Sequence, residues 1–346
     1  MPDKSPFADV FDAVVNVLKL PSPEINIAML GPRGSGKTSV LTAMYDRFDT
    51  VVGRINLTMR PGSDSVSAML GERMTQLLQL VKDPAADAGI RGDMSHHTYD
   101  FAIGRRGTIG KTTSFRLLFH DYPGGWLAGA EGDPEAAYRR TQVVGMVRDA
   151  AVTQIAIDTP FLMEEGGRYH EERNTPAAIA EIFREAYQKR DGERLVILSP
   201  VKCEAYMQTA EDRQRLLDRV REGYAELLRV LEANVIGPKL MIAITPVQTT
   251  GCVVFSEMEP DPDSVPPVRA RYKLKDGEST YQPRDSEQPL SYIMLFAMRQ
   301  YKNDLNETPI RAALTRLFGL DAHIREGFEL LAASCKASDG FSVRGI

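Results

Sequence analysis

The sequence has few of the residues that mark secreted, membrane-spanning or nucleic-acid-binding proteins. Its three cysteines are too few and too scattered for a disulfide framework or a cysteine-based zinc site, so a reducing, cytoplasmic location is expected. No apolar run approaches the roughly 20 residues that span a bilayer. The 42 basic and 47 acidic residues give a formal net charge of −5, which argues against the broad basic surface that nucleic acid requires.

The composition is that of a globular protein, with 43% apolar and 26% charged residues, and 346 residues correspond to two domains or one enlarged domain. Apolar residues at helical spacing predict an amphipathic leader helix in residues 1–23, which packs on its own domain or contacts a partner or membrane surface. Prolines and charges in 259–289 predict an irregular linker, and residues 290–346 are predicted to form a C-terminal helical extension.

Between residues 24 and 258, short apolar segments alternate with helical patterns. This alternation predicts an α/β domain with a mostly parallel sheet covered by helices on both faces. Two strand-like segments, 98–104 and 112–120, flank a glycine-rich turn and predict a hairpin whose strand is the one antiparallel edge. A helical insertion is expected at about 60–95.

A glycine-rich segment follows the first predicted strand and precedes a predicted helix. Its sequence, GPRGSGKT from Gly31 to Thr38, fits the phosphate-loop pattern G-x-x-x-x-G-K-[ST] without a mismatch. In such loops backbone N–H groups converge on phosphate oxygens, the lysine reaches the β- and γ-phosphates, and the Ser/Thr hydroxyl binds Mg²⁺. The predicted phosphate-binding residues are Gly31, Arg33, Gly34, Ser35, Gly36, Lys37, Thr38 and Ser39.

A second motif, LLFHDYPG, is an apolar strand that ends in Asp121 and continues into a turn with Gly124. An acid at a strand end beside the phosphate loop can hold Mg²⁺ together with Thr38. Gly124 gives the backbone freedom to direct an N–H at the γ-phosphate. Lys37, Asp121 and Gly124 are therefore predicted to be catalytic.

With these two motifs, residues 24–250 resemble the P-loop GTPases of the translation-factor-related (TRAFAC) class, whose third motif is D-x-x-G. The resemblance implies a Ras-like three-layer sandwich and bound GTP or GDP with Mg²⁺. Within this class, the sequence looks most like the bacterial double-GTPase group, which is found in multi-protein conflict systems. It also implies a base-reading [NT]-K-x-D motif, onto which Val201-Lys202-Cys203-Glu204 falls after an apolar strand.

The resemblance places Lys202 against the guanine face and Glu204 where an Asp accepts from guanine N1–H and N2–H₂. Thr245 and Pro246 fall where the family carries Ser-Ala before an N–H that meets guanine O6. The sequence departs from the pattern at Val201, which replaces Asn or Thr, and at Glu204, which replaces Asp. These departures leave an ATPase as an alternative.

Several parts of the hydrolytic machinery have no clear match. Ras-like GTPases have Gln after the D-x-x-G glycine, where this sequence has Gly125, so slow intrinsic hydrolysis is expected. Arg33 is a hypothesis for an internal arginine finger, as some dynamin-like GTPases use a loop arginine. Thr98 is the candidate for the switch threonine that binds Mg²⁺ in the triphosphate state. Three histidines (His96, His97 and His120) lack metal-ligand spacing.

The sequence therefore predicts a cytoplasmic GTPase switch in which GTP orders the segments near Thr98 and 122–133, and hydrolysis releases them. Protein partners are expected at these segments, the leader or the C-terminal helices, with no nucleic acid and no transmembrane segment. Two alternatives stay open: a P-loop ATPase, and a nucleotide-binding scaffold with little turnover, favoured by Gly125.

Overall fold

The computed structural model describes residues 24–48, 57–84, 95–105, 113–127, 133–188, 192–234, 240–307 and 320–344. The leader helix predicted for residues 1–23 lies outside these ranges. Within them, no helix is both long enough and apolar enough to cross a membrane.

The described strands form two sheets. They are β1 (Glu24–Leu30), β2 (Leu57–Pro61), β3 (His97–Arg105), β4 (Thr113–Asp121), β5 (Val152–Asp158), β6 (Arg194–Val201), β7 (Leu240–Ile244), β8 (Val253–Pro260), β9 (Val268–Leu274) and β10 (Ser342–Arg344). Eight strands form one sheet in the order β10-β7-β6-β5-β1-β4-β3-β2, and β8 pairs with β9 as a separate hairpin.

The centre of the large sheet is parallel. Strand β1 pairs in parallel with β4 and β5, β5 with β6, and β6 with β7. All residues of β5 and β7 are buried, as expected of strands covered on both faces. The prediction of a mixed α/β fold with a mostly parallel sheet is confirmed. Because these strands run in one direction, the loops after β1, β4, β6 and β7 lie along one edge.

Helices cover both faces of this sheet. They are α1 (Lys37–Asp46), α2 (Asp64–Lys82), α3 (Pro134–Asp149), α4 (Thr159–Met163), α5 (His170–Asn174), α6 (Pro176–Ala186), α7 (Ala210–Gly223), α8 (Ala225–Asn234), α9 (Glu287–Glu307) and α10 (Leu320–Ser334). One apolar cluster joins the sheet to α1, α2, α9 and α10, and another joins it to α3, α6, α7 and α8. Strand β1 contributes alternate residues to the two clusters, Ile27 to the first and Ala28 to the second.

The expectation of one antiparallel edge strand is wrong. Strand β3 is antiparallel but lies between β2 and β4, and β10 is a further antiparallel strand at the other edge. Neither β2 nor β10 is a buried apolar run: β2 is half-exposed and ends in Pro61, and β10 has three residues. Short edge strands of this kind give no periodic signal in the sequence.

The segment 259–289 is more ordered than the sequence predicts. Strands β8 and β9 form an antiparallel hairpin from Val253 to Leu274. Four of its prolines lie in the turn between the strands or at the end of β8 (Pro260, Pro262, Pro266 and Pro267). The prolines thus mark the turn, while the flanking strands are too polar to read as buried strands.

The C-terminal helices complete the main core. The apolar residues among 290–298 of α9 are buried with Leu331 of α10 in the cluster that includes α1 and α2. Residues 342–344 then extend the sheet by pairing with β7. The segment predicted as a helical extension therefore shares a core with α1, the helix that follows the phosphate-loop sequence.

Candidate functional site

The phosphate loop connects β1 to α1. Three of its glycines have positive φ angles, 142° at Gly31, 73° at Gly34 and 103° at Gly36, a region that favours glycine. Lys37 is buried at the start of α1, and its Nζ donates to the Gly31 carbonyl oxygen at 2.9 Å. Burial lowers the pKa of the Lys37 amine, and the nearby Asp121 carboxylate opposes that shift. The loop therefore surrounds a desolvated cation.

Asp121 and Thr38 meet across the edge of the sheet. Strand β4 lies beside β1, with Asp121 opposite Met29, so its last residue is close to the phosphate loop. The Thr38 hydroxyl donates to Asp121 Oδ2 at 2.6 Å. Residues 83 positions apart in sequence thus form a compact pair of oxygen atoms.

The turn after β4 packs directly against the phosphate loop. A Cβ on Gly124 would lie 2.2 Å from the Arg33 nitrogen and 2.3 Å from the Pro32 carbonyl carbon. At Gly125 the same construction meets no described atom within 4 Å. Only glycine at position 124 permits this backbone contact.

A cavity of about 470 Å³ lies over the phosphate loop. Most predicted site residues line it: Arg33, Gly34, Gly36, Lys37, Thr38, Ser39, Asp121, Gly124, Lys202 and Glu204. Arg33 is exposed. Gly31 and Ser35 are buried within the loop, and the Ser35 hydroxyl has no hydrogen-bond partner among the described residues.

Lys202 links the loop after β6 to the phosphate loop. Its Nζ donates to the Gly34 carbonyl oxygen and to Asp158 Oδ2, each at 2.8 Å. Burial lowers the pKa of the Lys202 amine, and Asp158 opposes the shift. Val201 contacts the loop through its methyl groups, since its Cγ2 lies 3.1 Å from where a Cβ on Gly36 would be. Apolar packing thus stands at the position where the motif that the sequence resembles has Asn or Thr.

Glu204 holds a loop of the protein itself. It is 2% exposed, and its Oε1 accepts from the Thr250 nitrogen at 3.1 Å, the Thr250 hydroxyl at 3.0 Å and the Gly251 nitrogen at 3.3 Å. Burial raises the pKa of the Glu204 carboxyl, and these hydrogen bonds oppose the shift. The structure therefore gives this carboxylate a bracing contact that the sequence does not predict.

Thr245 and Pro246 are buried and are not part of the described cavity lining. The Thr245 nitrogen donates to the Leu198 carbonyl oxygen at 2.9 Å, which continues the pairing of β6 and β7. Thr249 and Thr250 line the cavity instead. The loop thus enters the site a few residues later than the family pattern places it.

Thr98 is not brought together with Thr38 and Asp121. It pairs in register with His120, and its hydroxyl is 3.2 Å from His120 Nδ1. Because neighbouring residues of a strand face opposite sides, this pair lies on the other face from Asp121. Ser95 and His97 line the cavity in this region. No cluster of three or more metal-ligating residues occurs in the described chain, around the histidines or elsewhere.

Two features of the site were missed by sequence reasoning. Asp158 ends β5 as Asp121 ends β4, so an acid after an apolar strand was the available signal. The β8–β9 hairpin forms a wall of the cavity through residues 268–272. Tyr272 lies beside Lys202, with Nζ 5.7 Å from the ring centroid. No periodic pattern in the sequence predicts this hairpin.

A mostly parallel α/β sheet whose first strand leads through a phosphate-loop sequence into a helix is consistent with a P-loop α/β fold.

No protein-family model matches the chain, and no curated protein matches its sequence. Among solved structures, the chain is similar to the GTPase-like domain of Ski7 from S. cerevisiae. The GTP-bound form matches with 13% identity and a TM-score of 0.39 over 71% of this chain and 45% of that one. The form bound to GDP and inorganic phosphate matches with 12% identity and a TM-score of 0.41 over 67% and 44%. The matches span less than half of each Ski7 chain, and similarity this low assigns no activity.

Proposed function

We propose that this chain is a GTP-binding and GTP-hydrolysing switch of the TRAFAC class that requires Mg²⁺. The observation that carries the proposal is the Thr38–Asp121 hydrogen bond directly beside the buried Lys37. It unites the two motifs on which phosphoryl chemistry depends: the phosphate loop and the acid at the neighbouring strand end.

Thr38 and Asp121 fit a magnesium site. Mg²⁺ in nucleotide enzymes binds few protein oxygens and completes its coordination with water and substrate phosphates. A hydroxyl and one carboxylate oxygen 2.6 Å apart, at the mouth of the phosphate loop, match that donor set. The ion would neutralise phosphate charge when bound. We include no role for Thr98 in this site, because its hydroxyl contacts His120.

The chain's own groups supply positioning. Lys37 places a desolvated positive charge at the floor of the loop, where it attracts phosphate oxygens. Gly124 lets the turn after β4 touch the loop, so a change in the bound phosphate can be transmitted to residues 122–127. Gly125 offers no side chain to orient water, which supports slow intrinsic hydrolysis. The switch would then act within a multi-protein bacterial system.

An ATPase is the second candidate. It is favoured by the Glu204 contacts, because Oε1 already accepts three hydrogen bonds from Thr250 and Gly251. A carboxylate committed to its own loop discriminates less between guanine and adenine.

Direct binding measurements test these proposals. Calorimetric affinities for GTP, GDP, ATP and ADP should show guanine nucleotides bound more tightly, with GTP binding strengthened by Mg²⁺. Tighter binding of ATP than of GTP would establish the ATPase.

Single-turnover phosphate release should disappear in Lys37→Ala and Asp121→Asn, while Arg168→Ala, an exposed arginine outside the cavity, serves as the matched control. If the chain binds nucleotide but shows no phosphate release that depends on Lys37 and Asp121, it is a nucleotide-binding scaffold.

A further inference from the structure

Asp158 is a buried carboxylate that holds two cations beside the phosphate loop. Its side chain has no solvent exposure. Oδ2 accepts from Lys202 Nζ at 2.8 Å and from the Arg173 Nε and Nη2 at 3.2 Å and 3.1 Å. Since two positive groups share one negative group, the cluster keeps an excess of positive charge.

Arg173 is held in place from several sides. The neighbouring Asn174 brackets the Asp158 backbone, because its Oδ1 accepts from the Asp158 nitrogen at 2.8 Å and its Nδ2 donates to the carbonyl oxygen at 3.1 Å. The Arg173 guanidinium carbon also lies 4.9 Å from the Phe161 ring centroid. A guanidinium fixed by a carboxylate and an aromatic ring loses little further freedom when it binds an anion.

The Arg173 guanidinium lies beside Gly34 of the phosphate loop. Arg173 Nη2 is 3.1 Å from the position that a Cβ on Gly34 would take, and Lys202 binds the carbonyl of that same glycine. Arg173 lines the cavity together with Lys37, and its side chain is 23% exposed. Among the described residues, Arg173 Nη1 has no hydrogen-bond partner, so it has donors available for an anion in the cavity.

We propose that Arg173 binds the phosphate chain of the nucleotide beside Gly34 of the phosphate loop, and that Asp158 positions the Arg173 guanidinium. This inference rests on the function proposed above. Because phosphate-loop backbone N–H groups cradle the α- and β-phosphates, a cation at Gly34 strengthens the binding of GDP and GTP alike. Arg173 differs in this from the arginine-finger hypothesis for Arg33, which concerns hydrolysis alone.

The test compares GDP affinity in Arg173→Gln, which removes the charge, and Arg173→Lys, which keeps it. Arg173→Gln should weaken GDP binding about 10-fold or more, the size of one charge-assisted hydrogen bond. It should also flatten the dependence of GDP affinity on salt, because screening acts on the charge that was removed. Arg173→Lys should retain most of both properties, and Arg168→Ala should match the wild type. Circular dichroism checks that each variant is folded.

Wild-type GDP affinity in Arg173→Gln would overturn the inference. The inference would also be overturned if Arg173→Gln and Arg173→Lys weakened GDP binding equally and left its salt dependence unchanged. That result would mean that Arg173 acts through packing and not through its charge. If the wild-type chain binds neither GDP nor GTP, the proposed function itself fails. The failures of the two proposals are therefore distinguishable.

Discussion

At the scale of single residues, Gly124 and Gly125 are adjacent but have opposite surroundings. A methyl group on Gly124 would collide with the phosphate-loop backbone, whereas one on Gly125 meets no described atom within 4 Å. We expect Gly124→Ala to displace the loop at a cost of about 1–3 kcal/mol and to weaken GDP binding by about tenfold or more. Gly125→Ala is the matched control in the same calorimetric titration. Equal GDP affinities in the two variants would contradict the tight contact.

Arg33 and Arg173 both line the cavity, but we expect their substitution to affect different properties, hydrolysis for Arg33 and GDP affinity for Arg173. Arg33 is exposed, so it is available to move onto a developing negative charge. If it is an arginine finger, Arg33→Ala should lower kcat for GTP by about 10³-fold or more with GDP affinity unchanged. Single-turnover phosphate release at saturating GTP measures this. Hydrolysis at the wild-type rate in that variant would remove the hypothesis.

At the scale of elements, the β8–β9 hairpin is joined to the loop after β6 through Glu204 and Thr250. The Thr250 hydroxyl donates to Glu204 and accepts from the Val253 nitrogen, the first residue of β8, at 3.2 Å. Phe255 of β8 continues this connection, because its ring centroid lies 6.2 Å from that of Tyr206 and 6.5 Å from that of Tyr272. The loop after β6 and the hairpin therefore form one connected unit.

The buried carboxyl at the root of this unit makes stability depend on pH. The folded pKa of Glu204 is raised above its ordinary value of 4.5, so its contribution to stability is full below about pH 4.5 and is lost as pH rises. In Glu204→Gln nothing titrates at this position. We expect the free energy of unfolding of the wild type to fall relative to Glu204→Gln as pH rises above about 4.5. The loss is about 1.4 kcal/mol per unit of raised pKa.

Urea unfolding of both proteins at several pH values measures this difference. The opposite trend, with the wild type gaining stability over Glu204→Gln as pH rises, would mean that the three hydrogen bonds to Oε1 outweigh burial.

At the scale of the whole molecule, the C-terminal helix α9 belongs to the core that supports the phosphate loop. Ile293 is fully buried there, in the cluster that includes Val40 and Leu41 of α1. We expect Ile293→Ala to lower the free energy of unfolding by about 2–5 kcal/mol, the usual cost of such a cavity. Leu330→Ala is the control, since Leu330 is 43% exposed and should change stability by about 0.5 kcal/mol or less. A loss below about 1 kcal/mol in Ile293→Ala would show that α9 contributes little to folding.

The sequence by itself determined the parts of this protein that depend on local pattern. Buried parallel strands are continuous apolar runs, and a phosphate loop needs glycines and Lys-Thr at fixed spacing, so β1, the loop and the Asp121 strand end could all be located. Tertiary structure decided what depends on contacts between distant segments. The pairing of Asp158 with Lys202 and Arg173, 44 and 15 residues away, has no local signature.

The same limit applies to Glu204, whose hydrogen bonds join it to Thr250, 46 residues away. The resemblance to a family motif implied a base-reading carboxylate, whereas in the folded chain Thr250 and Gly251 donate hydrogen bonds to it. The hairpin wall was hidden for a related reason, because β9 is of mixed polarity. The apolar run in residues 290–298 of α9 is visible in the sequence, but only the fold shows that it packs in the same cluster as α1 and α2. Local spacing therefore located the phosphate-loop motif, while long-range packing determined which side chains surround it.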